Sequence, residues 1–254
     1  MKKSVIAGFA CLMSAATFAG MDNILVTFST PGPDAYADGT LVLDGECYAL
    51  VWTRSGSTFA GINADGTAVG DDSKVVIAAP VAKNHRCPSI TYQIDSDYAA
   101  EKGYTNGTWG VYLLDTRRYK ADANGVILTD ANGNKIVDSV GGSTVNGYGE
   151  VKTLSSTKMA SDAAGSAVSV STTSAAPTSA ANLKINDIKF IGDNVYLYVT
   201  GSLSCMSYEL KAGDAPNSLA APADGKAQYG ADEGEMIIVT PKKPGAQFFR
   251  VNRK

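Results

Sequence analysis

Histidine is nearly absent from this chain of 254 residues, and this scarcity restricts the chemistry available to it. The one histidine is His85, so a Ser-His-Asp or Cys-His arrangement would have to use it. The Gly-x-Ser-x-Gly elbow of hydrolases and the glycine-rich phosphate-binding loops do not occur. We therefore expect a protein that is not an enzyme. A hydrolase built on an unrecognised pair of carboxylates is the open alternative.

Charged residues are also scarce, at 19% of the chain, and the formal net charge is only -3. No long basic or acidic run occurs, so nothing in the charge pattern indicates a nucleic-acid partner. The sequence is instead rich in Gly, Ser, Thr, Ala, Asp and Tyr, a composition typical of strands joined by tight turns. These features predict an all-β protein.

The first residues have the pattern of a signal peptide. Lys2 and Lys3 precede an apolar stretch at 5–18, and Thr17 and Ala19 are small residues where a signal peptidase would read them. We expect cleavage after Ala19 and therefore a secreted protein of the periplasm, cell surface or extracellular space. The apolar stretch is shorter than the ~20 residues of a spanning helix, so no transmembrane anchor is expected.

Cysteine is infrequent, and the predicted cleavage would remove Cys11 and leave three. An oxidising compartment makes a disulfide plausible. Our first choice is Cys47–Cys87, because both residues lie in the N-terminal half. Cys205 would then be a buried thiol or would pair with another molecule.

Composition divides the remaining chain into three parts. Residues 20–154 are predicted to form a β-sandwich-like N-terminal domain of short strands. Residues 155–182 are predicted to be a flexible linker, since Ser, Thr and Ala fill 20 of the 28 positions. Residues 183–254 return to a strand pattern and are predicted to be a small β-module, which has little area to bury alone and would need to dock.

Strand and turn signals place the elements of the first part. Asp-Gly and Asn-Gly pairs mark turns, and Cys47 to Thr53 is apolar on both faces, which predicts a central strand. One helix is predicted at 97–102, with Ser96 as its cap and Gly103 at its end. The other predicted strands are 24–28, 40–43, 74–79, 90–94 and 108–115.

A short internal repeat has the residues of hairpin turns and of calcium loops. Asp122-Ala123-Asn124-Gly125 recurs as Asp130-Ala131-Asn132-Gly133. The Asp and Asn side chains of both copies supply oxygen ligands for Ca²⁺, although the EF-hand pattern is not present. Turn chemistry alone also explains these residues. Calcium is the one cofactor that the sequence leaves open.

The C-terminal part carries a family resemblance. Its residues are Phe190-Ile191-Gly192-Asp193-Asn194-Val195-Tyr196-Leu197, then Ser207-Tyr208-Glu209-Leu210 and finally Phe248-Phe249-Arg250-Val251. This pattern resembles the immunoglobulin- or fibronectin-III-like modules that end many secreted bacterial proteins. The resemblance implies a small Ig-like β-module that serves as a spacer or binding unit and performs no reaction.

Aromatic residues are the remaining functional signal. Trp52, Trp109 and Tyr104 lie in or beside predicted strands, where an exposed row of rings would suit stacking against sugars. Packing in a sandwich core explains the same residues. We therefore expect a non-enzymatic surface or extracellular structural protein that self-assembles through strand edges, with itself or other surface proteins as partners. The alternative is a carbohydrate-binding module with a polysaccharide partner.

Overall fold

The computed structural model describes residues 24–104, 106–155, 175, 183–219, 225–229, 234–245 and 247–253. The predicted signal peptide at 1–19 lies outside these residues, as does the predicted linker at 155–182 except for Ser155 and Ala175. The described part is all-β, as the composition predicts, with fourteen strands and one short helix. No helix among the described residues is long and apolar enough to cross a membrane.

The elements follow one another in two groups along the chain. The first group is β1 (Ile24–Phe28), β2 (Cys47–Arg54), β3 (Ser73–Pro80), β4 (Ile90–Ile94), α1 (Ser96–Glu101), β5 (Gly107–Asp115), β6 (Arg118–Tyr119), β7 (Val137–Ser139) and β8 (Gly147–Ser155). The second group is β9 (Lys184–Ile191), β10 (Asn194–Ser202), β11 (Tyr208–Gly213), β12 (Lys226–Tyr229), β13 (Gly234–Pro241) and β14 (Phe248–Arg253).

An antiparallel sheet in the order β3-β2-β5-β8 forms the centre of the first group, and we call it the central sheet. β2 lies between β3 and β5 and is buried along seven of its eight residues. This burial confirms the prediction from its two apolar faces, because only a strand covered on both sides can be apolar on both. Side chains alternate along β2, so Tyr48, Leu50 and Trp52 face one side and Cys47 and Ala49 face the other.

The first face of the central sheet packs against the β1–β4 ladder and α1. Phe28 of β1 lies between Tyr48 and Tyr92, with ring centroids 6.4 and 5.8 Å away. Val111 and Leu113 of β5 are fully buried in the same cluster. This two-layer arrangement around one apolar core is sandwich-like, as predicted for the N-terminal region.

The second face of the central sheet is covered in part by residues from the C-terminal part of the chain. Leu203 and Met206 belong to the same apolar cluster as Ala49 and Leu114 of the central sheet. A Cβ at Gly66 would collide with Leu203, so a turn of the N-terminal region also fits closely against this segment. The two parts of the chain therefore share this apolar cluster, while the C-terminal part also has a cluster of its own.

The C-terminal group forms its own pair of layers. A sheet in the order β12-β13-β10-β9, which we call the C-terminal sheet, packs on the β11–β14 ladder. Along β10, Val195, Leu197 and Val199 are buried while Tyr196 and Tyr198 are half-exposed, the alternation expected for a sheet covered on one face. The strand β12 falls within an irregular stretch where no strand was predicted.

Two local predictions are wrong. The predicted strand at 40–43 is not formed, because only Leu41 makes a bridge, to Ala35, across a tight turn. The helix α1 begins at Ser96 and its cap is Asp95, whose carboxylate accepts a hydrogen bond from the backbone N–H of Tyr98 at 2.9 Å. The cap is one residue earlier than predicted, since an Asp precedes the Ser and both are good capping residues.

Candidate functional site

The tryptophans that the sequence singles out are core residues. Trp52 and Trp109 have only 6% and 1% of their surface exposed. Both rings pack against Tyr104, with centroids 5.3 and 6.0 Å from it. The structure thus brings the three predicted ligand-binding residues together, but within the first face's core. The two indole rings therefore offer no open surface on which a sugar could stack.

The predicted disulfide between Cys47 and Cys87 is not formed. Cys47 is buried on the second face of the central sheet, whereas Cys87 is buried in the cluster on the first face. The alternation of side chains along β2 causes this separation, because Cys47 and its neighbour Tyr48 must point to opposite sides. Burial raises the pKa of Cys87 to about 12, so its thiol stays protonated and unreactive at neutral pH.

The repeated Asp-Ala-Asn-Gly segments form exposed hairpin turns. The carboxylate of Asp122 accepts hydrogen bonds from the backbone of Asn124 and Val126, and that of Asp130 from Asn132 and Asn134, at 2.8–2.9 Å. These bonds hold the pKa of Asp130 below its usual value, with the Asn134 N–H as the largest cause. Within the described residues, no group of three or more His, Cys, Asp or Glu side chains is placed to hold a metal ion.

The same type of turn occurs at two further positions. They lie outside the repeat that the sequence shows. Gly39, Gly66, Gly125 and Gly133 each have φ between 81° and 84° and each follows an Asp or Asn preceded by Ala. In all four turns a backbone bridge joins residues six positions apart. The shared Ala-Asp/Asn-Gly tripeptide was the signal that could have revealed four equivalent hairpins.

His85 has a structural position. It lies in an exposed turn with φ +62°, and its Nδ1 is 2.8 Å from the carbonyl oxygen of Val42. A ring nitrogen next to a carbonyl oxygen carries the proton, so this nitrogen is held as a donor and is not directed at a nucleophile.

A buried polar network lies at the end of the central sheet and was missed by the sequence analysis. The Glu46 carboxylate has no exposed surface and accepts hydrogen bonds from the Tyr36 hydroxyl at 2.8 Å and from the N–H and hydroxyl of Thr116. Arg117 donates to both oxygens of Asp115 and lies 3.7 Å from the ring centroid of Tyr36. Burial raises the pKa of Glu46 to about 7 despite these donors.

The network joins loops to one another, and only its member Arg117 also lines a small cleft, together with Tyr119 and Asn146. Arg117 also donates to Asp38 at 2.8 Å, which joins the hairpin at 36–41 to the end of β5. Every group named here has a partner inside the protein. These hydrogen bonds and ion pairs therefore have a structural role: they hold the loops at the end of the central sheet together.

A groove of about 530 Å³ opens on the second face of the central sheet, beside the apolar cluster that the two parts share. β2, β5 and β8 form its floor, and the loop at 57–60 forms one wall. Phe59 lies on Tyr112 with ring centroids 4.2 Å apart and meets Tyr148 edge-on at 6.0 Å. These three rings make an aromatic cluster at one end of the groove.

The polar lining of the groove consists of hydroxyls and one carboxylate. Thr53, Thr58 and Thr108 contribute hydroxyls, and Glu150 contributes the acidic group. Burial, and then the charge of Glu150, raise the pKa of Tyr112. Among the described residues that line the groove there is no Lys or Arg. Its aromatic rings and hydroxyls suit a neutral polyhydroxylated ligand.

The outer strand of the C-terminal sheet is a second candidate surface. β9 is the last strand of this sheet, and seven of its eight residues are exposed. Phe190, Ile191 and Ile188 have 60%, 53% and 41% of their surface exposed. Phe190 and Ile188 of β9 pair with Val195 and Leu197 of β10 and point to the same face of the sheet. The β11–β14 layer on that face leaves Phe190 and Ile188 largely exposed.

Within the part of the chain that the structure describes, the groove and the β9 edge are two surfaces on which a function can be based. The groove combines aromatic rings with hydroxyls, and the edge combines apolar side chains with backbone groups directed outward. Comparison of the chain with protein-family models, with curated proteins and with solved structures finds no match.

Proposed function

We propose that the protein is a non-enzymatic extracellular structural protein that assembles with further copies of itself through the edge of β9. The observation that carries the proposal is the exposure of three large apolar side chains on a strand that, among the strands the structure describes, has a neighbour on one side only. Such an edge is a template for another strand, because its outward N–H and C=O groups are available for a ladder.

The sequence of β9 is complementary to itself in one antiparallel register. When two copies pair about Ile188, each Ile188 lies opposite the other, and Asp187 of each copy lies opposite Lys189 of the second copy. The bulge at Asn186 places Ile185 on the core face of β9 and Ile191 on the other face, so these two residues do not form a cross-strand pair and the complementary stretch is Asp187 to Lys189. Opposite-charge and apolar cross-strand pairs each contribute about 0.2–1 kcal/mol, so this register is favoured over its neighbours.

The proposal agrees with the predicted export and with the low net charge. Cleavage after Ala19 would remove Lys2 and Lys3 and leave a formal net charge of -5 (20 basic minus 25 acidic residues), which gives little repulsion between copies. Among the described strands, β12 is the other edge of the C-terminal sheet, and Tyr229 has 36% of its surface exposed there. Two open edges allow growth beyond a dimer, since a pairing at one edge leaves the other available.

Charge exchange within β9 tests the proposal. Sedimentation of the full chain over a range of concentrations is expected to show oligomers for the wild type and fewer for Asp187→Lys, which places like charges opposite each other. Lys189→Asp should weaken assembly in the same way, and the double variant Asp187→Lys/Lys189→Asp should restore it. Val126→Lys is the matched control, because Val126 is 61% exposed but lies far along the chain in a hairpin.

The outcome of this experiment decides between edge pairing and other contacts. A wild type that stays monomeric at every concentration would contradict the proposal. So would a double variant that assembles no better than either single variant. Loss of assembly in Val126→Lys alone would place the contact on the hairpin and not on β9.

The groove supports a second candidate function, the binding of a neutral polysaccharide. Phe59, Tyr112 and Tyr148 supply apolar ring surface, and Thr58, Thr108 and Glu150 supply hydrogen-bonding groups around it. This version of the carbohydrate-binding hypothesis replaces the two buried tryptophans with residues that line an open surface.

A pull-down on insoluble polysaccharides tests this second function. Binding is expected to fall at least tenfold in Phe59→Ala, whereas the control Leu41→Ala, at an exposed leucine outside the groove, should bind like the wild type. Far-UV circular dichroism confirms that each variant is folded. Equal binding by Phe59→Ala and wild type, or no binding by either, would remove the groove from consideration.

A further inference from the structure

Two of the three cysteines outside the predicted signal peptide share one cluster. Cys47 and Cys205 are 0% and 3% exposed and belong to the apolar cluster on the second face of the central sheet, and the structure shows no disulfide between them. Cys87 lies in the cluster on the opposite face. Cys47 and Cys205 therefore lie on one side of the central sheet, and Cys87 lies on the other side.

The segment that carries Cys205 crosses the second face from one strand to another. At one end, the hydroxyl of Ser204 donates to the carbonyl oxygen of Ala78 on β3. At the other end, the hydroxyl of Ser207 donates to the carbonyl oxygen of Gly141 at 2.6 Å. Cys205 lies between these two anchors, and its own carbonyl oxygen would be 3.4 Å from a Cβ placed on Gly141.

The two carbonyl groups that hold the crossing segment, those of Ala78 and Gly141, are linked to β2 on either side of Cys47. Ala78 is the register partner of Ala49 on β2. Gly141 donates its N–H to the Thr116 hydroxyl at 2.9 Å, and Thr116 donates in turn to the carboxylate of Glu46. The crossing segment therefore spans β2 from Ala49 to Glu46, and Cys47 is the residue between them whose side chain faces the segment.

We propose that Cys47 and Cys205 form a disulfide that joins the C-terminal module to the central sheet. The oxidant is a small disulfide such as glutathione disulfide. One cysteine thiolate attacks it and releases one glutathione thiolate. The second cysteine thiolate then attacks the mixed disulfide and releases the other. Two protein thiols are oxidised and one external disulfide is reduced to two thiols, so protons and electrons balance.

The bond closes a loop that runs through most of the described chain. Cross-linking distant residues removes conformational freedom from the unfolded chain, and the effect grows with loop length. We expect the melting temperature of the oxidised protein to exceed that of the reduced protein by on the order of 10 °C.

Peptide mapping tests the pairing. The full chain is reduced, unfolded and refolded in a mixture of glutathione and glutathione disulfide, then alkylated in denaturant, digested and mapped by mass spectrometry. A linked peptide that contains Cys47 and Cys205 is expected, together with alkylated Cys87, and Cys11 is read from its own peptide. Cys87→Ser is the matched control and should retain the link, whereas Cys205→Ser should lose it.

A second arm avoids dependence on refolding. Wild-type protein exported into an oxidising compartment is alkylated and mapped without any reductant, and the same linked peptide is expected. A Cys47–Cys87 peptide, a disulfide-linked dimer through Cys205, or alkylation of both Cys47 and Cys205 in either arm would overturn the proposal.

Discussion

Glu46 shows how burial and hydrogen bonding compete at a single residue. Four donor groups favour its charged form: the hydroxyl of Tyr36, the N–H and hydroxyl of Thr116, and the N–H of Cys47. Loss of water opposes them and raises its pKa to about 7. The folded protein therefore binds this proton more tightly than the unfolded chain does.

This difference predicts that stability falls as pH rises across the titration of Glu46. The contribution of the proton is fully present below the unfolded pKa of about 4.5 and is lost as pH rises through about 7. Urea unfolding between pH 4.5 and 8 should show a fall of a few kcal/mol in the unfolding free energy of the wild type. Glu46→Gln should flatten this fall, and Glu150→Gln, at an exposed carboxylate, should not. Identical slopes in wild type and Glu46→Gln would contradict the prediction.

Gly39 and Gly66 provide a second test at the scale of the residue. Both occupy the same position of the same turn, with φ +81° and +83°. A Cβ on Gly39 would meet open space, whereas a Cβ on Gly66 would meet Leu203 and the Met206 methyl group. Gly39→Ala therefore measures only the backbone strain, and Gly66→Ala adds the cost of moving the C-terminal segment.

We expect Gly39→Ala to lower the unfolding free energy by about 1 kcal/mol and Gly66→Ala by about 3 kcal/mol. Urea unfolding followed by circular dichroism measures both values. The difference between the two variants is the part that belongs to packing. Equal values would show that Leu203 does not press on this turn.

At the scale of elements, the cap of α1 distinguishes two adjacent candidates. Asp95 accepts a hydrogen bond from the N–H of Tyr98, while Asp97 lies within the first turn. Asp95→Ala should lower the unfolding free energy by about 1 kcal/mol, and Asp97→Ala by only a few tenths. Thermal melts of the two variants measure the effect. A larger loss in Asp97→Ala would place the cap elsewhere.

Strand positions could be predicted where the sequence pattern is strong. The predictions at 24–28 and 90–94 coincide with β1 and β4. Those for β2 and β5 differ from the structure by one residue at one end, and that for β3 differs by one residue at each end. Apolar alternation and β-branched residues determine these strands locally. The strand β12 was missed because its apolar content is low and its pairing with β13 depends on the rest of the C-terminal sheet.

The candidate sites could not be predicted to the same extent. Trp52 and Trp109 are separated by 57 positions in the sequence, and only the pairing of β2 with β5 shows that they are register partners in a core. The groove combines Phe59 with Tyr148, which no local pattern connects. The clustering of Cys205 with Cys47 depends on a crossing segment from the other end of the chain. Nonlocal contacts of this kind are decided by topology and not by short-range preference.

At the scale of the whole molecule, the shared apolar cluster couples the two parts of the chain. Leu203, Cys205 and Met206 come from the C-terminal part but are buried against the central sheet. Arg253, near the end of the chain, lies 3.7 Å from the buried carboxylate of Asp65. A C-terminal part that docks by such contacts gains burial that it could not obtain alone. The described regions should therefore unfold together.

Tryptophan fluorescence makes this coupling measurable, because both tryptophans lie in the N-terminal region. Leu203→Ala removes buried side-chain volume in the C-terminal part and should lower the stability reported by Trp52 and Trp109 by about 2–5 kcal/mol. Leu41→Ala, at a leucine with 46% of its surface exposed, is the control and should change it by less than about 0.5 kcal/mol. Coincident urea transitions by fluorescence and far-UV circular dichroism are expected for both variants. A fluorescence transition that Leu203→Ala leaves in place, while circular dichroism shows an earlier second step, would mean that the C-terminal part folds on its own and that its contacts with the central sheet contribute little.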